Sequence, residues 1–386
     1  MLFSHQRIAV VHHLSAPCGS VTVCAQLVKG LRALGAEAHF FTLANFFKSE
    51  YLGSDVPHTF VGRAPVEDSH REQAISSSKV LAENLDPEVL SQYDVVHIHD
   101  VIDHMAIRGI RSRLRGVLIV RTVHHLYEVG EEWLVDIQGS SVMEADQLVA
   151  VSDYWSARIY DRYRRSAMVI RNGVDLSRFR SAPNELGDSL WRERASNSLT
   201  FLNVGGLSPR KGTIELLQAF AATKKALSDL GVQLVILGGC SPNPYHEYRA
   251  AISAEIARLG LVVEKDVIFL GTVSGGELID AYRAADVFVF PSLVEGWGLA
   301  ALEAMAAGLP VIMSDLPVFR EFASPRDAVF VRPGHVRDLA EAMQALALSP
   351  ERRAVLGGRG EAVAARYSWD KTANEHASLY NVLLTT

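Results

Sequence analysis

The chain has 386 residues, 48% of them hydrophobic and 21% charged, and a formal net charge of −6. This length exceeds what one hydrophobic core usually supports, so two domains are expected. The negative charge gives no reason to expect nucleic-acid binding. Cys18, Cys24 and Cys240 are scattered and odd in number, which argues against a disulfide framework and predicts a cytoplasmic protein. Neither an apolar run of membrane-spanning length nor a secretion signal is recognised.

The first half of the chain alternates short apolar runs with helical patterns. The runs predicted to be buried parallel strands are residues 8–11, 39–43, 95–98, 117–120, 147–151 and 167–170. Between the first two, apolar residues share one helical face over residues 23–34, and Gly35 ends the pattern. Strand, turn and helix in this order predict a Rossmann-type unit. For the polar residues 46–86, a lid and a solvated helix both remain open.

Histidines gather at or near the predicted carboxyl ends of these strands. They are His12, His13, His97, His99, His124 and His125. Ligands of parallel sheets bind at such ends. Because no pair has the spacing of a known metal-ligand motif, we predict no metal and interpret the group as the polar floor of a cleft. A structural role for these imidazoles stays open.

Residues 107–116 carry four arginines, at positions 108, 111, 113 and 115. A solvated helix face in an acidic protein is the favoured interpretation. The alternative is contact with an anionic acceptor or lipid, which leaves peripheral association with the inner face of a membrane open.

The second half repeats the alternation after a polar stretch, residues 181–198, that predicts an interdomain linker. Its predicted strands are residues 199–204, 232–237, 267–270, 287–290, 311–313 and 329–331. The first of them leads into a Gly-rich stretch, residues 205–212, that contains Arg210 and Lys211. Two adjacent cations in such a loop can neutralise a diphosphate leaving group.

The most informative stretch of the chain is residues 286–315. A tight turn, Glu295-Gly296-Trp297-Gly298, precedes a helical pattern over residues 299–307 in which Glu303 is the single acid. Free backbone N–H groups at the helix start suit a phosphate. A buried carboxylate needs a partner, so Glu303 meets either ligand hydroxyls or a structural cation, and both remain open.

These residues also resemble a known signature. The sequence Phe-Pro-Ser, followed by Glu-Gly-Trp-Gly-Leu and Glu-Ala-Met-Ala-Ala-Gly-Leu-Pro-Val-Ile, is similar to that of the retaining family 4 glycosyltransferases. The resemblance implies the GT-B architecture, with two facing Rossmann-like α/β domains and an interdomain cleft. Residues 1–180, joined by a returning helix in 367–386, would be the acceptor domain, and residues 181–366 the donor domain.

The resemblance implies an enzyme, a hexosyltransferase, that moves a sugar from a nucleoside diphosphate sugar to an acceptor. UDP, GDP and ADP donors remain open, as do sugar, lipid-linked and small-molecule acceptors. The implied reaction retains the anomeric configuration: the acceptor attacks from the leaving-group side, and its proton passes to the departing phosphate. No cofactor is implied. The chain contains no Asp-x-Asp motif, so a metal-dependent glycosyltransferase fold has no ligand signature.

The resemblance also assigns roles to individual residues. Glu295 and His124 would face the donor sugar, Glu303 would bind the ribose, and Lys211 would meet the diphosphate. Gly206 stands where the family carries an arginine, so Arg210 is predicted to supply the missing charge. The other predicted donor-binding residues are Gly296, Trp297, Gly298, Leu299, Gly238 and Val273, the last two beside the base.

Two alternatives follow from departures from the family pattern. The acceptor or phosphate loop, predicted at Gly19 and Ser20, has one glycine where the family usually has two. Together with Gly206, this motivates a non-catalytic sugar-nucleotide-binding protein. A sugar-nucleotide epimerase of the same architecture is the other alternative, although the Glu295 and Glu303 pattern argues against it.

Overall fold

The computed structural model describes residues 6–14, 18–44, 52, 55–127, 132–180, 198–238 and 246–385. It divides into two compact units, Met1–Gly173 with Trp369–Thr386, and Val174–Ser368. The boundaries predicted from the sequence are residues 180 and 366. The predicted linker, residues 181–198, lies outside the described residues apart from Ser198.

The described part of the first unit is built on a seven-stranded parallel sheet in the order β3-β2-β1-β4-β5-β6-β7. Its strands are β1 Arg7–His12, β2 Glu37–Ala44, β3 His58–Arg63, β4 Val95–Ile98, β5 Leu118–Val123, β6 Gln147–Ala150 and β7 Met168–Val169. Its helices include α1 Gly19–Ala33, α2 His70–Asn84, α3 Pro87–Leu90, α4 Val101–Ile110, α5 Glu132–Glu144 and α6 Asp153–Tyr163. Each predicted strand of this half overlaps an observed one.

Side-chain alternation along β1 separates the core of the first unit into two clusters. Ile8 and Val10 pack with residues of α1, whereas Ala9 and Val11 pack with residues of α4 on the other face. Both faces of the sheet are covered, which is why its central strands form continuous apolar runs.

The polar stretch of residues 46–86 contains both a strand and a helix. The helix α2 agrees with one of the two open interpretations. The edge strand β3 was not predicted, because all six of its residues are at least partly exposed and no apolar run marks it. Residues 45–51 and 53–54 are outside the described part of the chain.

The arginine-rich stretch forms the end of α4 and a 3-10 turn at Arg111–Arg113. Arg108 lies 3.4 Å from Glu144, and Arg111 lies 2.8 Å from Asp146. This arrangement is that of a solvated face, and contact with an anionic acceptor or lipid stays the untested alternative. In the described part of the chain, we find no helix with the length and apolar character to cross a membrane.

The described part of the second unit holds a six-stranded parallel sheet in the order β10-β9-β8-β11-β12-β13. The strands are β8 Leu199–Val204, β9 Val232–Leu237, β10 Val267–Gly271, β11 Val287–Phe290, β12 Val311–Ser314 and β13 Val329–Val331. The helices include α7 Leu176–Arg180, α8 Thr213–Ala226, α9 His246–Arg258, α10 Gly275–Ala284, α11 Leu299–Ala306, α12 Pro317–Arg320, α13 Val336–Ala347 and α14 Pro350–Ala364. All six strands coincide with or overlap predicted ones.

The last helix, α15 Trp369–Thr385, belongs to the first unit. The Gln6 side chain donates a hydrogen bond of 3.0 Å to the carbonyl of Ala377. The helix α15 can approach α1 closely because residue 30 of α1 is glycine. A Cβ added at Gly30 would lie 2.5 Å from the Cβ of Ala373. The two ends of the chain therefore pack in the same unit.

Two adjacent glycines of α14 provide a matched test of packing in the second unit. A Cβ at Gly357 would lie 2.2 Å from the carbonyl oxygen of Gly308, whereas a Cβ at Gly358 meets nothing within 4 Å. We expect Gly357→Ala to lower the free energy of unfolding by about 1–3 kcal/mol. Gly358→Ala should raise it by up to about 1 kcal/mol, because alanine favours the helix. Thermal melts of both variants check this, and equal shifts would contradict the packing described.

Candidate active site

The second sheet has a topological switch point between β8 and β11. From β8 the chain adds β9 and β10 on one side, and it then returns to add β11, β12 and β13 on the other. The loops that follow β8 and β11 therefore emerge side by side at the carboxyl edge, where ligands of such sheets bind. A backbone hydrogen bond of 2.7 Å from Leu293 N–H to the carbonyl of Arg210 joins the two loops.

Charged side chains from these two loops form one cluster. The Lys211 ammonium lies 2.5 Å from Oε1 of Glu295, and an Arg210 guanidinium nitrogen lies 3.3 Å from the same oxygen. The Ser292 hydroxyl donates to it at 3.0 Å. Lys211 also lies 4.9 Å from the ring centroid of Phe290. The structure thus brings three of the predicted catalytic residues together.

Burial and pairing set the charges of this cluster. Burial opposes ionisation of Glu295, yet the neighbouring Lys211 outweighs it and lowers the pKa of Glu295 to about 2. Burial lowers the pKa of Lys211 to about 8, against the attraction of Glu295. Both groups are therefore charged at neutral pH. Arg210 is 44% exposed, so its charge faces solvent beside a buried ion pair.

The turn after β11 has one residue in a left-handed conformation. Gly298 precedes α11 with a φ of 104°, and an added Cβ would lie 2.6 Å from the Phe319 ring. Trp297 is 2% exposed and packs against Phe322 and Tyr367, so it anchors the turn. Gly296 is partly exposed, and Leu299 is the first residue of α11.

Glu303 lies one helical turn into α11 and is partly buried. The Tyr282 hydroxyl, from α10, donates to its carboxylate at 3.0 Å. Burial raises the pKa of Glu303 to about 6, while the Tyr282 hydrogen bond and the charge of Arg178 act in the opposite direction. The described partners of Glu303 are thus the Tyr282 hydroxyl and the charge of Arg178. Binding of ligand hydroxyls by Glu303 stays a prediction.

The residues predicted beside the base also lie at the carboxyl edge of this sheet. Gly238 follows β9 with a φ of 125°, and an added Cβ would lie 2.3 Å from the backbone nitrogen of Gly206. Val273 follows β10 and is partly exposed. Gly206 itself has a φ of 73°, which disfavours any side chain there.

The first unit has its own switch point, between β1 and β4. Nδ1 of His99 lies 3.3 Å from Nε2 of His124, and the His97 and His99 rings stack with centroids 4.5 Å apart. Burial lowers the pKa of His124 to about 3, so this imidazole is neutral at physiological pH. A neutral ring can exchange hydrogen bonds with hydroxyl groups but contributes no positive charge.

Asp103, in the first turn of α4, organises the end of β1. Its carboxylate accepts from ring nitrogens of His12 and His13 and from backbone N–H groups of His13, His99 and Asp100. Ligand atoms of His12, His13 and Asp103 lie within 4.8 Å of one another, close enough for a metal ion. Because five donors already occupy the carboxylate, we interpret the group as a hydrogen-bond cluster. Gly19 and Ser20, predicted as an acceptor or phosphate loop, are instead the first two residues of α1. Gly19 is exposed, and Nε2 of His12 reaches the Ser20 hydroxyl at 2.9 Å.

Buried histidines should make the first unit sensitive to acid. Burial lowers the pKa of His376, in α15, to about 4, and it also lowers those of His97, His99 and His124. Below about pH 6.5 these histidines bind protons in the unfolded chain but stay neutral in the folded unit. The free energy of unfolding therefore falls as the pH decreases below that value. Hydrogen exchange at pH 7 and pH 5, corrected for intrinsic rates, should show protection falling in α15 and β4. For His124 and His376 the loss corresponds to about 1–2 kcal/mol each. The second unit is the internal control, and equal losses in both units would contradict this prediction.

Three residues of these sites were not predicted from the sequence. Ser292 lies inside the stretch of residues 286–315, but no role was predicted for it. Tyr282 could not be predicted because its partner, Glu303, lies on another helix. Asp103 forms a capping box with Asp100. Its spacing, three residues after Asp100, is the signal that could have placed it at a helix start.

Two Rossmann-like parallel-sheet units, each with polar side chains at a topological switch point, define an α/β protein of the GT-B class. Sucrose-phosphate synthase from Thermosynechococcus elongatus has the same fold, with a TM-score of 0.82 and 22% identity over 99% of this chain and 100% of that one. The Anabaena protein HepE, solved in complex with UDP-glucose, gives a TM-score of 0.78 and 18% identity over 98% and 100%.

Family models and relatives identify the class further. The model of glycosyl transferases group 1 matches residues 191–363, and that of Glycosyltransferase Family 4 matches residues 17–178. The D-inositol 3-phosphate glycosyltransferase of Actinosynnema mirum is 33% identical over an alignment of 312 positions, which covers 75% of this chain and 72% of that relative. The chain belongs to the group 1 glycosyltransferases, with a family 4 first unit. It is an enzyme that transfers a sugar, so neither the non-catalytic nor the epimerase alternative is retained.

Proposed function

We propose that this enzyme transfers a hexose from a nucleoside diphosphate sugar, held by the second unit, to an acceptor hydroxyl, held by the first. The observation that carries the proposal is the cluster of Lys211, Arg210 and Glu295 at the switch point of the second sheet. Two cations at this place suit a diphosphate that gains negative charge as it leaves. Glu303 lies on the helix that begins directly after the neighbouring turn and suits ribose hydroxyls.

The cluster also bears on the order of events during donor binding. Glu295 is paired with Lys211. A bound diphosphate would compete for the Lys211 ammonium and release Glu295 to accept hydrogen bonds from sugar hydroxyls. Donor binding would in this way arrange the carboxylate that orients the sugar.

Retention of the anomeric configuration and independence from a divalent metal are part of the proposal. Both are implied by the resemblance, and Lys211 with Arg210 would provide electrostatically what a metal provides in other transferases. His124, as a neutral imidazole, would contact the sugar without adding charge. The acceptor proton would pass to the departing phosphate.

Similar proteins indicate which substrates to test first. UDP-glucose is the ligand of the Anabaena HepE complex, and D-inositol 3-phosphate is the substrate in the name of several relatives. We therefore expect a UDP-sugar to be a suitable first donor and a phosphorylated polyol a suitable first acceptor.

The test is product analysis by proton NMR after incubation with UDP-glucose and D-inositol 3-phosphate, with and without EDTA. The coupling constant of the anomeric proton should show the same configuration in product and donor, and EDTA should not slow the reaction. If this acceptor gives no product, a panel of sugar acceptors replaces it. An inverted product, or loss of turnover in EDTA, would refute the corresponding part of the proposal.

A further inference from the structure

A chain of polar side chains runs from the buried interior of the first unit to the start of α1. We call Asp103, His12, Ser20 and Cys18 the Cys18 cluster. His12 is 1% exposed, and its Nδ1 lies 2.9 Å from Asp103. Its Nε2 lies 2.9 Å from the Ser20 hydroxyl, which lies 3.3 Å from the sulfur of Cys18. Cys18 is the residue directly before α1 and is partly exposed.

The charges of the Cys18 cluster favour a thiolate. Burial opposes a charge on His12, but the Asp103 carboxylate outweighs it and raises the pKa of His12 to about 10. The Nε2–H of the resulting imidazolium faces Ser20 and Cys18. Burial also opposes the Cys18 thiolate, yet hydrogen bonds from His12, Ser20 and the Val21 N–H lower the pKa of the thiol.

Other titratable groups lie around the cluster, and one of them, His13, shares the Asp103 carboxylate with His12 through a contact of 2.9 Å. The ring centroid of His99, after β4, lies 6.4 Å from that of His12, and burial lowers the pKa of His99, so this ring is neutral. Cys24, further along α1, is fully buried, and burial raises its pKa well above the ordinary value. Its thiol is therefore uncharged at neutral pH and provides an internal comparison.

We propose that Cys18 is a nucleophilic thiol that reacts with carbon electrophiles, and that the Asp103–His12 pair activates it. The arrangement is a nucleophile within reach of an imidazole that a carboxylate orients, which is the general pattern of an activated cysteine. In alkylation by iodoacetamide, the Sγ–C bond forms as the C–I bond breaks. Iodide leaves with the electron pair, and the thiol proton passes to solvent.

Modification of Cys18 has a consequence that rests on the proposed function. Ser20, in the first turn of α1, is one of the two residues predicted to hold the acceptor or its phosphate. A group attached to the sulfur, 3.3 Å from the Ser20 hydroxyl, would occupy the space beside this helix start. Alkylation should therefore block transfer to the acceptor and leave donor binding by the second unit unchanged.

The primary test is the pH dependence of alkylation in the full chain, followed by peptide mass spectrometry. At pH 7 we expect Cys18 to react at least ten times faster than Cys24. The decisive readout is the pH of half-maximal rate, because exposure alone changes the rate but not this midpoint. The Cys18 midpoint should lie below that of glutathione measured in parallel.

Variants distinguish activation from accessibility. His12→Gln and Asp103→Asn should move the Cys18 midpoint upward, whereas His246→Gln, at an exposed position of the second unit, should not. Circular dichroism establishes which variants fold, and the wild-type midpoint tests the proposal even if both first-unit variants do not. A wild-type midpoint equal to that of glutathione would overturn the proposal, as would an unchanged midpoint in folded His12→Gln.

Activity after labelling tests the consequence separately. Alkylated wild type should lose transfer while UDP-sugar still raises its melting temperature, and Cys18→Ser should resist inactivation. Full transfer by fully alkylated protein would overturn the acceptor-loop consequence. Labelling is read by mass and needs no substrate, so failure of the proposed function would leave the reactivity result intact.

Discussion

Lys211→Ala should reduce sugar transfer by about 10²- to 10³-fold, the usual cost of removing one group that stabilises a developing anion. The ammonium is the closest cation to Glu295 and the more buried of the two in the loop after β8. Its loss should weaken binding of a nucleoside diphosphate far more than binding of the free nucleoside, because only the former carries the charge that Lys211 meets. Isothermal titration with both ligands measures this difference.

Controls for this variant follow from the ion pair itself. Removing one partner of a buried pair destabilises a fold by about 3–5 kcal/mol, so a melt must show that Lys211→Ala is folded. Lys211→Arg keeps the charge and serves as a second variant if it is not. Lys225→Ala removes an exposed lysine of α8 and should change neither ligand affinity. Equal losses for nucleoside and nucleoside diphosphate would contradict the diphosphate role of Lys211.

Glu303→Gln should stabilise the second unit and weaken donor binding at the same time. The pKa of Glu303 is raised from 4.5 to about 6. The folded protein therefore keeps a proton between these values that the unfolded chain has released, and stability is lost as pH rises through this window. Above pH 6 the ionised carboxylate costs about 1–2 kcal/mol, which the neutral amide avoids. Tyr282 can still donate to the amide oxygen.

The same variant loses the charged acceptor proposed for the ribose hydroxyls, so donor affinity should fall about tenfold or more. Urea unfolding at pH 7 and pH 4.5 measures the first effect, and the stability gain should shrink at the lower pH, where wild type is already protonated. Glu247→Gln, at an exposed position of α9, is the matched control. A Glu303→Gln protein that is less stable at pH 7 would show that the carboxylate has a structural partner instead.

The apolar runs of the chain predicted the central strands of both sheets because parallel strands covered on both faces have an unmistakable composition. The strand β3 lacked that composition, since it lies at an edge. Contacts between side chains that are far apart in the sequence were harder to predict. Lys211 and Glu295 are 84 positions apart, and only the adjacency of β8 and β11 brings them to 2.5 Å.

The structure gives a physical reason for one departure from the family pattern, in the loop after β8. Gly206 replaces an arginine, and its φ of 73° shows that this loop takes a conformation in which glycine is favoured. Arg210 lies 3.3 Å from Glu295. That it provides the missing charge stays a prediction. The Asp103–His12 contact joins α4 to the end of β1, and no local spacing indicates it.

The measurement that tests the central claim most directly is a thermal-shift panel of UDP-, GDP- and ADP-sugars on wild type and Glu303→Ala. A ligand that binds only the folded state raises the melting temperature by mass action. We predict that one class of donor raises it for wild type and raises it much less for Glu303→Ala. No shift with any donor, or equal shifts in both proteins, would contradict a donor site formed by the loops and helix at the switch point of the second sheet.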